Sequence, residues 1–244
     1  MLQYPLFLPN ITKTFANFDN AHTDFNSRLE ESREALFAII EKNFFSEIVI
    51  VDGSNNKVLS EEEILKYAKK GIKIEQLLFL QDKNLVEEYG KGHGEMQITN
   101  YMVENSELVK KAGGFVKLTP RYFFDNIDEI LPKISNEENV FFYYYPFPIR
   151  NLKAFVMSIF YKTSLEFYKK NIMNSITKHS KDVSGLMESV LYQQLSPLKK
   201  ESLYLPFPYF SGISGTTGKK IRNQYIVFRN ICSRLGLIAY RFPK

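Results

Sequence analysis

SEIVIVDGSN, residues 46–55, decides how the chain is read. Ile48, Val49, Ile50 and Val51 form an unbroken β-branched run that stops at Asp52-Gly53-Ser54. Such a run, without polar alternation, fits a parallel strand covered on both faces and closed by a turn. Upstream, Phe25, Leu29, Leu36, Ile39 and Ile40 recur at helical spacing, with Asp24 placed as N-cap. Downstream, Ser60 and Glu63 make a capping box that opens a helix through Lys70, stopped by Gly71. IEQLLFLQD (74–82) reads as a second buried strand. After YGKGHGE (89–95) a helix runs to about Lys111 and ends at Gly113-Gly114, and FVKLT (115–119) is a third strand.

This β-α-β-α-β succession with short links predicts an α/β fold: a mostly parallel, Rossmann-type sheet with right-handed crossovers and flanking helices. Ligands of such sheets bind beyond the carboxyl ends of the strands. The second half is less regular. NVFFYYYPFPIR (139–150) is strand-like until its prolines, AFVMSIFYKT (154–163) reads as another strand, and a helix follows to about His179. Val183–Leu195 reads as a helix with Met187, Val190, Leu191 and Leu195 on one face. ESLYLPFPYFSGISGTTGKK (201–220) reads as a punctuated loop and Lys219–Leu235 as a final helix. No repeat or linker divides the 244 residues, which predicts one unit with a nucleotide-holding half (1–122) and an acceptor-side half (123–244).

Composition narrows the classes. The single cysteine, Cys232, excludes an internal disulfide and a Cys-rich zinc site, and His22, His93 and His179 have no ligand spacing. MLQYPLFLPNITKTF (1–15) lacks a basic leader region, and no apolar run is long enough to span a bilayer, so a cytoplasmic protein is expected. A net charge of +5 suits an anionic ligand or an anionic membrane surface, while the absence of a basic run argues against nucleic acid.

The chemistry-bearing residues fall at strand ends. Asp52 can accept from a base or ribose hydroxyl, with Gly53 and Ser54 admitting a ligand close to the backbone; a plain Asp-Gly turn is the alternative. Lys91, Gly92, Gly94 and Glu95 stand where a glycine-rich turn enters a helix, a place that favours an anion. Glu95 is equally a first-turn acid matched to the helix dipole. Lys117 and Arg121 flank the end of the third strand, where two cations can neutralise a diphosphate leaving group without a metal. Asp125 and Asp128 read as caps. Glu188, in GLMESVLYQQL (185–195), is the candidate base for an acceptor hydroxyl, or an ordinary helix glutamate. SGISGTTGKK (211–220) is not a phosphate-binding P-loop, because its glycine spacing is too long and Lys220 stands where a hydroxyl is required.

RLEES (28–32), IVIVDGSN (48–55), YGKGHGEMQITNYMVENS (89–106) and FVKLTPRY (115–122) in this order resemble bacterial surface-polysaccharide glycosyltransferases of GT-A type, which act in capsule, O-antigen or lipooligosaccharide assembly. Looser similarity continues through FFYYYPFPIRNLKAFV, MESVLYQQL and SGISGTTGK. The resemblance implies transfer of a sugar from a nucleotide-sugar, expected to be a UDP-sugar, to a glycan or lipid-linked acceptor. It places Arg28, Ser32 and Asp52 in the nucleotide pocket. Where that fold type carries a metal-binding Asp-x-Asp, this chain has Lys117-Leu118-Thr119, which implies diphosphate neutralisation by Lys117 and Arg121 and no required divalent metal. Pro120 stands where the group has glycine, and proline fixes φ and removes an N–H.

Lys219, Lys220, Arg222, Arg229 and Arg234, with Tyr225 and Phe228, are candidates for peripheral contact with the inner membrane surface, or else a solvated helix face. The rival functions are a methyltransferase, which wants a glycine-rich turn after YPLFLPN, and a HAD-type phosphatase, which wants an acid where Ser54 stands. A non-catalytic carbohydrate- or membrane-binding module is the third.

Overall fold

The computed structural model describes residues 2–13, 24–144, 155–178, 187–212, 220–221 and 225–243. In the first half, β1 (Leu6–Asn10), α1 (Phe25–Glu41), β2 (Glu47–Asp52), α2 (Glu61–Ala68) and β3 (Lys73–Leu78) alternate. Three helices follow, α3 (Lys83–Tyr89), α4 (Lys91–Asn105) and α5 (Glu107–Ala112), and lead into β4 (Gly114–Leu118). β5 (Tyr122–Phe124), α6 (Ile127–Ile130), β6 (Val140–Tyr144), β7 (Phe155–Val156), β8 (Phe160–Ser164) and α7 (Leu165–Asn171) come next. The remainder is α8 (Met187–Leu195), β9 (Glu201–Leu203), β10 (Phe210–Gly212), α9 (Ile226–Arg234) and β11 (Ala239–Arg241).

The main sheet has the order β3-β2-β1-β4-β8-β6-β11-β9, with β7 beside β6. From β3 to β4 every pairing is parallel, as the alternation predicts; from β4 onward every pairing is antiparallel. Residues 123–244 are therefore not merely irregular but extend the same sheet. β1 runs between β2 and β4, so the chain reverses its direction of winding there. That makes the space beyond the carboxyl ends of β1 and β4 the switch-point crevice.

Alternate side chains of each strand enter opposite cores. Leu6, Leu8, Ile48, Ile50, Val116 and Leu118 pack with Leu36, Ile39 and Ile40 of α1. Phe7, Val49, Val51 and Phe115 pack with Met96, Met102, Val109 and Leu191 of α4, α5 and α8. The period of two also sends Lys117 to the α4 side, between positions that are otherwise apolar.

The caps at Asp24 and Ser60 form as expected: Asp24 accepts from Ser27 N, and Ser60 and Glu63 exchange both bonds of the box. Several expectations are corrected. β3 is the sheet's edge strand and is only half-buried, since among the described residues no strand pairs with its outer side. The helix expected to run to Lys111 breaks at Ser106, whose hydroxyl caps α5 at Val109 N and also meets Glu75 of β3. AFVMSIFYKT splits into β7 and β8, and 201–212 contains β9 and β10. Asp125 accepts from Ser211 Oγ and Asp128 pairs with Lys42, so neither caps a helix. α7 ends at Asn171 and passes into a 3-10 helix, Met173–Lys178, with His179 outside the described residues. The final helix occupies Ile226–Arg234; positions 213–219 and 222–224 lie outside the described residues. No helix among the described residues is long and apolar enough to cross a membrane.

Candidate functional site

Asp52 closes β2 and is 1% exposed. Its carboxylate accepts from Thr12 N (3.0 Å), Ser54 N (2.9 Å), Ser54 Oγ (2.6 Å) and Asn56 N (3.2 Å). Four accepted bonds occupy most of a carboxylate's lone-pair sites, so Asp52 binds the β1 and β2 loops to each other. Ser54 Oγ joins them again through Lys13 N (2.9 Å) and Thr12 Oγ1 (3.0 Å). Gly53 is needed for packing: a Cβ there would lie 2.5 Å from Ile98 Cδ1 and 2.9 Å from Gln81 Cδ. Gly94 likewise lies where a Cβ would come within 2.4 Å of Gln81 Nε2. Gly53→Ala should therefore lower stability by about 1–3 kcal/mol through overpacking against α4, measured by denaturant unfolding. A variant as stable as the parent would show that this contact is slack.

Arg28 and Ser32 of α1 face the end of β1. Arg28 donates from Nε (3.0 Å) and Nη2 (2.7 Å) to the Ile11 carbonyl, and Ser32 donates to Asn10 Oδ1 (2.9 Å). Asn10 is 1% exposed, and its Nδ2 is buried without a hydrogen-bond partner. Sequence reading missed Asn10 and Thr12, although both follow a strand end.

Lys91, Gly92, Gly94 and Glu95 belong to the first turns of α4, not to a turn before it. Gly90, at φ 90°, starts the helix with no side-chain cap, so the first amides are not met by a capping side chain. Lys91 and Glu95 are one turn apart on the same face.

Two clusters emerge. The first is cationic. Burial and then the nearby Arg121 charge push Arg28 down to about 10. Burial, and then Arg28 and Arg121, also lower Lys91. Three cations from α1, α4 and the loop after β4 thus gather in one another's field at the switch-point crevice. Arg121 Nη1 is buried without a hydrogen-bond partner, and the residue takes φ 75°, beside Pro120. A left-handed conformation costs a non-glycine residue about 1–2 kcal/mol. The turn is locked by β10, where Gly212 lies opposite Tyr122 and a Cβ on Gly212 would stand 2.6 Å from the Arg121 carbonyl.

The second cluster is a buried chain of charges. Lys117, 0% exposed, pairs with Glu95 Oε1 at 2.5 Å, donates to Thr119 Oγ1 (3.0 Å) and to the Ser158 carbonyl, and lies over the ring of its cross-strand neighbour Tyr161. Ser158 Oγ in turn hydrogen-bonds Glu188 Oε1 at 2.6 Å. Burial raises the Glu188 pKa, and the charge of Glu95 adds to the rise. Lys117 and Arg121, paired in the sequence reading, have different partners here: Arg121 belongs to the cationic crevice, Lys117 to the layer under it. Glu188 is brought to Lys117 and Glu95 through Ser158. Position-by-position reading could not find Ser158, because its role depends on the pairing of α8 with β7.

The raised Glu188 pKa carries a sign. The folded state holds this proton more tightly than the unfolded chain, so ionisation above the folded pKa works against folding. Glu188→Gln is expected to stabilise the protein near neutral pH, and the gain should vanish below the ordinary glutamate range. Thermal unfolding across pH reads this out; a gain that grows on acidification would reverse the assignment.

Among the described residues, no group of three or more His, Cys, Asp or Glu could hold a metal ion. No protein-family model and no curated protein matches the chain. Among solved structures it is similar to HddC from Yersinia pseudotuberculosis, with 11% identity and a TM-score of 0.37 over 93% of this chain and 97% of that one.

Proposed function

We propose that the chain is a glycosyltransferase that moves a sugar from a nucleotide-sugar donor to a hydroxyl of a bacterial surface glycan or its lipid-linked precursor. The observation that carries the reading is the convergence of Arg28, Lys91 and Arg121 at the switch-point crevice, with Arg121 Nη1 buried and unpartnered. Cations that lie in one another's field, only partly offset at Arg28 by Glu31 and Asp52, gain when a diphosphate comes between them.

In the proposed reaction the acceptor oxygen attacks the anomeric carbon while the bond to the β-phosphate oxygen breaks. The electron pair leaves with the nucleoside diphosphate, whose growing charge Arg28, Lys91 and Arg121 offset, in place of a bound divalent metal. The acceptor proton passes to Glu188, whose proton affinity burial raises above that of an ordinary glutamate. Ser158 fixes the orientation of that carboxylate, and the Lys117–Glu95 pair supports it from below. Asn10 Nδ2, together with Ser32 and the loop held by Asp52, fits the nucleoside side of the donor.

Calorimetric titration with UDP, CMP and GDP, with and without manganese, tests this. UDP is expected to bind without manganese. No nucleotide binding would remove the transferase reading in favour of a non-catalytic module, and binding strictly dependent on manganese would remove the metal-independent form.

A further inference from the structure

α9 carries a surface that the proposed chemistry does not use. Ile226, Arg229, Asn230 and Ser233 turn inward: Asn230 accepts from Phe207 N (3.1 Å), the Arg229 guanidinium lies over the Tyr144 ring at 4.1 Å, and Ser233 is fully buried. The opposite face is apolar and open. Val227 is 71% exposed, Ile231 53% and Leu235 63%, with Phe228 beside them. Leu237 and Tyr204 extend the patch, since Tyr204 lies against the Gly236 backbone. An apolar stripe of this kind on a short helix marks an interaction surface.

The charge around the patch identifies what it meets. Residues 203–244 contain seven Lys and Arg and no Asp or Glu. Taking those seven from the whole chain's +5 leaves the other 202 residues at −2, so the entire positive excess resides in this segment. The basic residues are scattered in sequence, but the segment itself contributes charge of one sign only. Lys220 and Arg234 are exposed; among the described residues, Glu129 meets Arg234 at 3.5 Å and Glu137 and Glu201 meet Arg241, which leaves the segment net positive.

We infer that the exposed face of α9, with Tyr204 and Leu237, docks this protein on an anionic lipid bilayer, the apolar side chains entering the headgroup boundary and the surrounding cations meeting lipid phosphates. An exposed apolar helix face within a net-cationic segment is the pattern of an interfacial helix. A second copy of the chain would bring cation against cation across the same face, which disfavours self-association.

The test is co-sedimentation of the full chain with vesicles of mixed phosphatidylglycerol and phosphatidylcholine, against vesicles of phosphatidylcholine alone. Binding is expected only to the anionic vesicles and should weaken with salt. Val227→Glu combined with Ile231→Glu should reduce it about 30-fold or more, because two apolar side chains no longer enter the interface. Lys220→Gln and Arg234→Gln should each reduce it about fivefold. Val227 and Ile231 are more than half exposed, so folding should be unaffected; if the double glutamate variant misfolds, Val227→Ser with Ile231→Ser serves instead. Equal binding to both vesicle types, or binding that ignores the apolar variants, overturns the inference. A lipid-free dimer that Ile231→Glu dissociates overturns it too, and assigns the face to a second copy. Vesicle binding and nucleotide binding are separate readouts, so either can fail alone.

Discussion

Replacing Lys117 with methionine is expected to lower the unfolding free energy by about 3–5 kcal/mol, the range typical when one partner of a buried ion pair is removed. The side chain is wholly buried, and its ammonium serves the Glu95 carboxylate, the Ser158 carbonyl and the Thr119 hydroxyl together. Methionine fills similar space, so the loss isolates the charge. Without the cation, Glu95 remains beside the already buried Glu188, and their repulsion loses the ammonium that offsets it. Glu95→Gln in the same background should recover part of the loss by removing that uncompensated carboxylate, and denaturant unfolding of the four proteins closes the cycle. A single Lys117→Met variant within about 1 kcal/mol of the parent would mean that the ammonium is not paired as the structure shows. From sequence Lys117 is a candidate for diphosphate neutralisation; its burial makes stability the first effect of its loss.

Arg121→Gly should move binding and stability in opposite directions. Losing one charge-assisted contact to a diphosphate costs about 1.5–3 kcal/mol, a fall of roughly 10- to 100-fold in nucleoside diphosphate affinity. The same change frees the φ 75° position from its side-chain penalty, and stability should rise by up to about 1 kcal/mol. Calorimetry with UDP and thermal unfolding of the same preparation read the two effects. If Arg121→Gly lowers both, the left-handed turn is held by side-chain contacts rather than strained; if it leaves affinity unchanged, Arg121 is not in the donor site. The strain has a legible origin. Pro120 cannot adopt the left-handed region, so Arg121 takes the positive φ in the tight turn between β4 and β5.

The parallel half of the fold was legible because its signals are local. Four consecutive β-branched residues at 48–51, a capping box at 60–63 and an Asp N-cap at 24 each act within a few residues, and each forms as read. The break at Ser106 was not legible, since its cap at Val109 N is joined by bonds to Glu75 of the neighbouring edge strand, 31 residues away in sequence. The antiparallel extension was hidden for a similar reason. β6, β8, β9 and β11 pair across long stretches of chain, and a short aromatic run does not state its partner.

The same division holds in the candidate site. The sequence by itself determined that charged and glycine-bearing loops follow the strand ends, and that no acidic pair stands at 117–119. Tertiary structure alone decided what each residue meets. It engages Asp52 in holding two loops, makes Gly53 and Gly94 packing positions, and sets Lys117 under the crevice with Glu95, Ser158 and Glu188. It also gathers Arg28, Lys91 and Arg121 from three separate elements. Strand and helix periodicities are set by backbone geometry and can be read along the chain. Which charge lies in another's field depends on distances through space, and those exist only once the sheet has closed against its helices.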